Sequence, residues 1–228
     1  MNARDVLAAV TVRYHDPFGM KVLHACTLLS DGTMALKAMR IFLDVGADPN
    51  AVTMFGVCPL HMAVKHPCAK ACVAMISLLL DAGARVNACD GLGCGVLHYA
   101  ARNSSAEAST ASIKALINAG ADVHACADDG SRPLHCAASN PNMTVAGVQA
   151  LVSAGASVHA IGRGGKRPLH LTAGRIDLAV TLVHLGAKVS MTDKAGVTAL
   201  HAAAAGNNNT YQLLLKADAF RAQKRLKI

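Results

Sequence analysis

The strongest constraint on this chain is a self-similarity with one rigid spacing and one elastic spacing. A Leu-His pair recurs with its histidine at His24, His61, His98, His135, His170 and His201. A glycine stands five residues before each, at Gly19, Gly56, Gly93, Gly130, Gly165 and Gly196. A Gly-Ala pair begins at Gly46, Gly83, Gly120, Gly155 and Gly186. From that pair to the next such histidine the interval is always fifteen residues: 46 to 61, 83 to 98, 120 to 135, 155 to 170 and 186 to 201. From each histidine forward to its Gly-Ala pair the intervals are 22, 22, 22, 20 and 16. The fixed stretch therefore reads as a structural joint. Its first glycine ends a helix in the left-handed conformation, and its second opens a tight turn.

The elastic stretch holds two helices. A short one starts at or just before Leu-His, as in PLHMAV or VLHYAA. A longer one ends at Gly-Ala, with apolar residues at helical spacing, as at Val73, Met75, Leu78 and Leu79. Length differences are expected in the turn between the two, where RNSSAEAST and SNPNMT look loop-like. The core must come from Ala, Leu and Val, because apolar residues make up 53% of the chain, aromatics only 3%, and Trp is absent.

The segments GVCPLHMAV with GARVNA, GSRPLHCAA with GASVHA, and GVTALHAAA resemble the signatures of the ankyrin-repeat family. The resemblance implies an all-α solenoid of about six stacked helix-turn-helix repeats, with projecting hairpin-like fingers and a concave face of fingers and first helices. It implies a non-catalytic module that binds other proteins. The organisation expected is a degenerate N-terminal finger or cap over 1–15, a repeat domain over 16–218, and a basic capping tail over 219–228. The six helix pairs fall at about 16–52, 53–89, 90–126, 127–161, 162–192 and 193–218. One departure from the family concerns the threonine that caps each first helix. Its place is taken by Lys21, Cys58, Gly95, Arg132 and Arg167, and only Thr198 keeps it. Each lost cap costs roughly 1 kcal/mol, so modest stability is expected.

Charge is unevenly spread. Residues 1–149 carry eleven Lys or Arg and eleven Asp or Glu, whereas residues 150–228 carry eleven basic groups against Asp177, Asp193 and Asp218. The whole net charge of +8 thus lies in the last third, which suits an acidic partner, a polyanion, an import signal or a solubilising cap. The densest apolar run, Ala71 to Leu80, is half the length needed to cross a bilayer. The N-terminus has no hydrophobic stretch of signal-peptide length. Eight cysteines without a C-x-x-C pair read as reduced, mostly buried thiols. An intracellular protein, cytoplasmic or nuclear, is expected.

Eleven histidines invite a metal-binding interpretation. Six share one repeat position, however, and stacked helices lie about 8–10 Å apart, so these rings form a column and do not converge on one ion. His66, Cys68 and Cys72, with His61 nearby, are the best local candidates, but they need a core histidine as fourth ligand. Only one glutamate, Glu107, occurs, and no nucleophile elbow or P-loop is present. No catalytic residue, cofactor or metal is expected.

By the family's geometry, the positions flanking each finger glycine and those after Leu-His-x-Ala face the groove. Read at those positions, the early fingers offer Phe18, Met54, Phe55 and Leu92. The middle finger offers Asp128 and Asp129, and the late ones Arg163, Lys166 and Lys194, with Arg102 and Arg175 on adjoining helices. The expectation is a graded surface, with an apolar anchor toward the N-terminal fingers and a basic strip toward the C-terminal ones. The partner expected is a protein carrying a hydrophobic segment followed by an acidic one. The alternative is polyanion or nucleic-acid binding through the basic third.

Overall fold

The computed structural model describes residues 19–172, 174–201 and 216, so Phe18, the N-terminal cap and the basic tail lie outside the described residues. The chain divides into two compact units, 1–122 and 123–228. The first contains three helix pairs: α1 (Val22–Thr27) with α2 (Gly32–Asp44), α3 (Pro59–Ala63) with α4 (Ala69–Asp81), and α5 (Val96–Ala101) with α6 (Ala106–Asn118). The second contains α7 (Pro133–Ser139) with α8 (Val145–Ser153), then a 3-10 helix over Pro168–Leu171 with α9 (Ile176–His184). Residues 199–201 are helical again.

Within the first unit, α1 packs on α3 and α3 on α5, while α2 packs on α4 and α4 on α6. Two helical layers result, each built of like elements. Between them lie Leu23, Met39, Leu60, Met75, Leu79, Ile113 and Leu116, all fully buried. Alanines at Ala38, Ala63 and Ala100 are fully buried too, and their small side chains let the helices approach closely. Cys26, Cys58, Cys72, Cys94 and Cys136 are buried as small apolar groups, whereas Cys68, Cys89 and Cys126 are exposed. The second unit repeats the scheme with Leu134, Met143, Leu151, Leu178 and Leu182.

The rigid spacing has a hydrogen-bonded cause. Each long helix stops in the same way: Gly46 takes φ +89° and Ala47 N–H donates back to Phe42 C=O at 2.9 Å. The bond recurs from Ala84 to Leu79, Ala121 to Leu116, Ala156 to Leu151 and Ala187 to Leu182. Side chains then link successive joints. Asn50 accepts from Arg85 N–H at 2.8 Å and donates to Gly83 C=O at 2.9 Å, and Asn87 holds Asp122 and Gly120 likewise. A joint with so many fixed contacts does not tolerate an inserted residue.

The elastic spacing behaves differently from expectation. Residues 106–110 of RNSSAEAST begin α6, whose N-cap is Ser105, so the turn there is short. The second helices themselves shrink, from thirteen residues in α2, α4 and α6 to nine in α8 and α9. The fifth first-layer helix is a four-residue 3-10 turn over Pro168–Leu171, with Thr172 as its C-cap. Length is thus absorbed by helix ends as well as by the turn.

Among the described residues no helix is long and apolar enough to cross a membrane.

Candidate functional site

Within each unit the Leu-His histidines tie the first-layer helices to the fingers. Five first-layer helices lack a side-chain cap at Lys21, Cys58, Gly95, Arg132 and Arg167, as the missing threonines imply. The histidine three residues later compensates from the other direction in these five, and makes the same bond at Thr198 in the sixth. Its Nδ1 accepts the N-cap N–H at His24 (3.0 Å), His61 (3.2 Å), His98 (3.0 Å), His135 (3.1 Å), His170 (3.3 Å) and His201 (3.2 Å). An accepting Nδ1 leaves the proton on Nε2, which donates to the next finger. His24 reaches Val57 C=O at 2.9 Å and His61 reaches Cys94 C=O at 3.1 Å. In the second unit His135 reaches the Ala160 and Lys166 carbonyls, and His170 reaches Val197. Each imidazole caps its own helix, and His24, His61, His135 and His170 also anchor the finger that follows.

The neutral ring is therefore the structural form. Burial disfavours the charged form and holds His61, His135 and His170 below the ordinary histidine value of 6.5, although the carbonyl acceptors work against it. Unfolded, these rings take up protons near pH 6.5 and the folded protein resists. Between the two values the unfolded state binds more protons, so stability falls as pH drops. Thermal unfolding measured from pH 7.5 to pH 5 should give a melting temperature that is level above about 6.5 and declines below it. A level or rising melting temperature across that interval would contradict the assignment.

The fingers are tight turns. In the second finger Thr53 N–H donates to Val57 C=O and Gly56 N–H to Thr53 C=O, and the same pair of bonds forms at Asp90, Ala127, Gly162 and Asp193. At Asp90 the carboxylate also accepts from the Leu92 and Cys94 amides, and at Asp193 from Ala195 and Val197. Adjacent tips are joined, Gly91 N–H to Phe55 C=O at 2.8 Å in one unit and Lys194 N–H to Gly164 C=O at 3.0 Å in the other.

In the first unit these tips expose Met54 (67%), Phe55 (56%) and Leu92 (68%). Beside them, Lys65, Tyr99 and Arg102 line a shallow cavity of about 270 Å³. The Tyr99 hydroxyl donates to Asp90 at 2.7 Å, its ring meets His61 edge-on at 4.8 Å, and Lys65 Nζ lies 6.0 Å from its centre. Burial and the Asp90 carboxylate both push the tyrosine hydroxyl up. Partial burial opposes ionisation of Asp90, yet the Tyr99 hydroxyl and the two amides hold its carboxyl below the usual range.

In the second unit Asp128, Asp129, Arg163, Lys166 and Lys194 are exposed on the fingers. Arg175 corrects an expectation. Its guanidinium donates to the carbonyls of Pro141 and Met143 in the turn before α8 and pairs with Asp177 at 2.8 Å. It links two inter-helix turns.

Lys65 and Tyr99 escaped the sequence reading, although the signal was present: Lys65 stands four residues after its histidine, as Arg102 does, and Tyr99 one residue after. Ile161, 58% exposed at the foot of the fifth finger, carried no such signal.

Of the residues weighed as a local metal set, His66 and Cys72 bond to the backbone. His66 Nδ1 accepts Cys68 N–H, its Nε2 meets Leu29 C=O at 3.2 Å, and the Cys72 thiol donates to His66 C=O at 2.8 Å. Among the described residues no group of three His, Cys, Asp or Glu is placed to hold a metal.

Three family models match the chain: "Ankyrin repeats (3 copies)" over 97–193, "Ankyrin repeats (many copies)" over 68–110 and "Ankyrin repeat" over 195–223. No curated protein matches. Among solved structures, the ankyrin repeat domain of Bcl-3, described as a unique member of the IkappaB protein family, is similar. It is 26% identical, with a TM-score of 0.67 over 92% of this chain and 90% of that one.

Proposed function

The chain belongs to the ankyrin-repeat family, and we propose that it works by holding a partner protein against the face formed by its fingers and first-layer helices. One observation carries this. Met54, Phe55 and Leu92 stand exposed on two fingertips that are hydrogen-bonded to each other, whereas most large apolar side chains among the described residues are at least partly buried. Grouped apolar side chains of that size are anchors for another surface. The basic groups Arg163, Lys166 and Lys194 supply the second element of recognition, acting on an acidic segment of the same partner. The module is an adaptor, an inhibitor or a subunit of a larger assembly.

Its cysteines suit a reducing compartment, the cytoplasm or nucleus. Burial pushes the Cys26 thiol up to about 12 and raises Cys58 and Cys72 as well, so these remain protonated and act as small apolar groups.

The test is capture of a partner from native cells at physiological salt, followed by binding measurements on variants. Phe55→Ala should weaken the complex about tenfold or more with little dependence on salt. Arg163→Ala with Lys166→Ala should slow association several-fold and flatten the salt dependence. Identical behaviour of both variants across ionic strength would remove the graded surface. The rival, polyanion binding, draws on the charge of residues 150–228. It requires binding to collapse between low and moderate salt, whereas an apolar-anchored complex survives.

A further inference from the structure

Between the fourth and fifth fingers, wholly within the second unit, lies a cavity of about 480 Å³ whose lining includes His135, Ser139, Arg163, Lys166 and Leu171. Its chemistry is divided. On the finger side stand Arg163 and Lys166, both exposed, and neither has an ion-pair partner among the described residues. No carboxylate lines the cavity. Of the acids on nearby fingers, Asp129 accepts from Ser131 N–H at 2.8 Å, and Asp193 on the sixth finger, which feels the Lys166 charge, accepts from the Ala195 and Val197 amides, while Asp128 stands exposed on the fourth finger outside the cavity lining. On the helix side the wall is apolar. Leu171 is half-buried, and the buried His135 ring has both nitrogens committed, Nδ1 to Arg132 N–H and Nε2 to two carbonyls. Ser139 Oγ donates to Cys136 C=O at 3.0 Å, so toward a ligand it offers only lone pairs.

A ligand that satisfies all three features needs an oxyanion for the two cations, an N–H for the serine and an alkyl group for the leucine. A nucleic-acid backbone supplies the first alone. We infer that this cavity is a subsite for an acidic residue of a bound peptide. The side-chain oxyanion, a carboxylate or a phosphate, meets Arg163 and Lys166. A neighbouring peptide N–H donates to Ser139, and the aliphatic residue that follows rests on Leu171. Charged hydrogen bonds of this kind are the stronger class, and the apolar wall adds selectivity. The inference deepens the proposed groove function and depends on it.

The experiment is an amide-resolved NMR titration of the full chain with blocked tetrapeptides: Gly-Glu-Leu-Gly, its glutamine and phosphoserine counterparts, and Gly-Glu-Gly-Gly. The glutamate and phosphoserine peptides should shift the Ser131, Ser139 and Lys166 amides, and the tighter of the two identifies the natural oxyanion. The glutamine peptide should bind about tenfold more weakly, and the leucine-free peptide several-fold more weakly. The R163Q and K166Q double variant should lose about tenfold for the acidic peptides and little for the glutamine one. Equal binding of glutamine and glutamate peptides would overturn the subsite. So would a ten-residue oligothymidylate that shifts the same amides as tightly, since that marks a general polyanion surface. Shifts confined to the Met54, Phe55 and Leu92 tips would remove the subsite and keep the groove, while no shift on either unit would remove both.

Discussion

Replacing His61 with alanine is expected to lower the unfolding free energy by about 3–5 kcal/mol. Three losses coincide. The Cys58 N–H loses its acceptor at 3.2 Å and the Cys94 carbonyl loses its donor at 3.1 Å, both in buried surroundings. Each buried polar group left unpaired costs about 1–3 kcal/mol. The ring is also fully buried and lies 4.8 Å from Tyr99, so its removal leaves a void at a contact between repeats. His184, exposed near the end of α9, is the control, and His184→Ala should change stability by no more than about 0.5 kcal/mol. Chemical denaturation of both variants decides the matter. A small loss at His61, comparable to that at His184, would mean that the imidazoles are not what joins one repeat to the next.

Gly56→Ala should cost about 2–4 kcal/mol, for two separable reasons. Gly56 has φ +73°, where a side chain is strained by about 1–2 kcal/mol. A Cβ there would also stand 2.8 Å from Gly91 N and 3.1 Å from Asp90 C. Backbone cannot rotate out of the way as a side chain does, and retreat would break the Gly91 to Phe55 bond. Gly83 has φ +90° with nothing within 4 Å of an added Cβ, so Gly83→Ala should show the strain alone. The difference between the two variants isolates the contact between fingers. Because Phe55 is carried on that contact, Gly56→Ala should weaken partner binding beyond its effect on the folded fraction. Equal costs at both glycines would show that the fingertips yield freely.

Much of this was legible in the residues. The constant interval before each histidine reflects a chain of specific bonds, from the Ala47 amide through the Asn50 latch to the His61 ring, and any added residue would break one of them. The joint therefore leaves its length in the sequence. The helices leave a weaker record. Nothing local says that α8 stops at nine residues where α6 reaches thirteen, because alanine, valine and leucine suit a helix at any length and packing sets the end. Residues 106–110, rich in Ser, Ala and Thr, read as loop from composition, yet Ser105 caps them into α6. Offsets from the finger glycines place Met54, Phe55 and Leu92 at the tips, where they stand exposed, and Lys65 and Tyr99 stand four and one residues after their histidines. Arg175 is a different case: it stands five residues after its histidine where Arg102 stands four after, at the N-cap of α9, where carbonyls of another turn and Asp177 claim it.

In the first unit, the reach of His24 and of His61 to one carbonyl of the next finger has an evolutionary corollary. His24 meets the residue four before His61, and His61 meets the residue four before His98. Splicing out residues 53–89 would bring the Cys94 carbonyl to His24 in place of that of Val57, with every remaining partner unchanged in kind. Recombination can thus lengthen or shorten such a chain by whole modules without redesigning a seam, while a cut at any other period leaves a ring facing nothing.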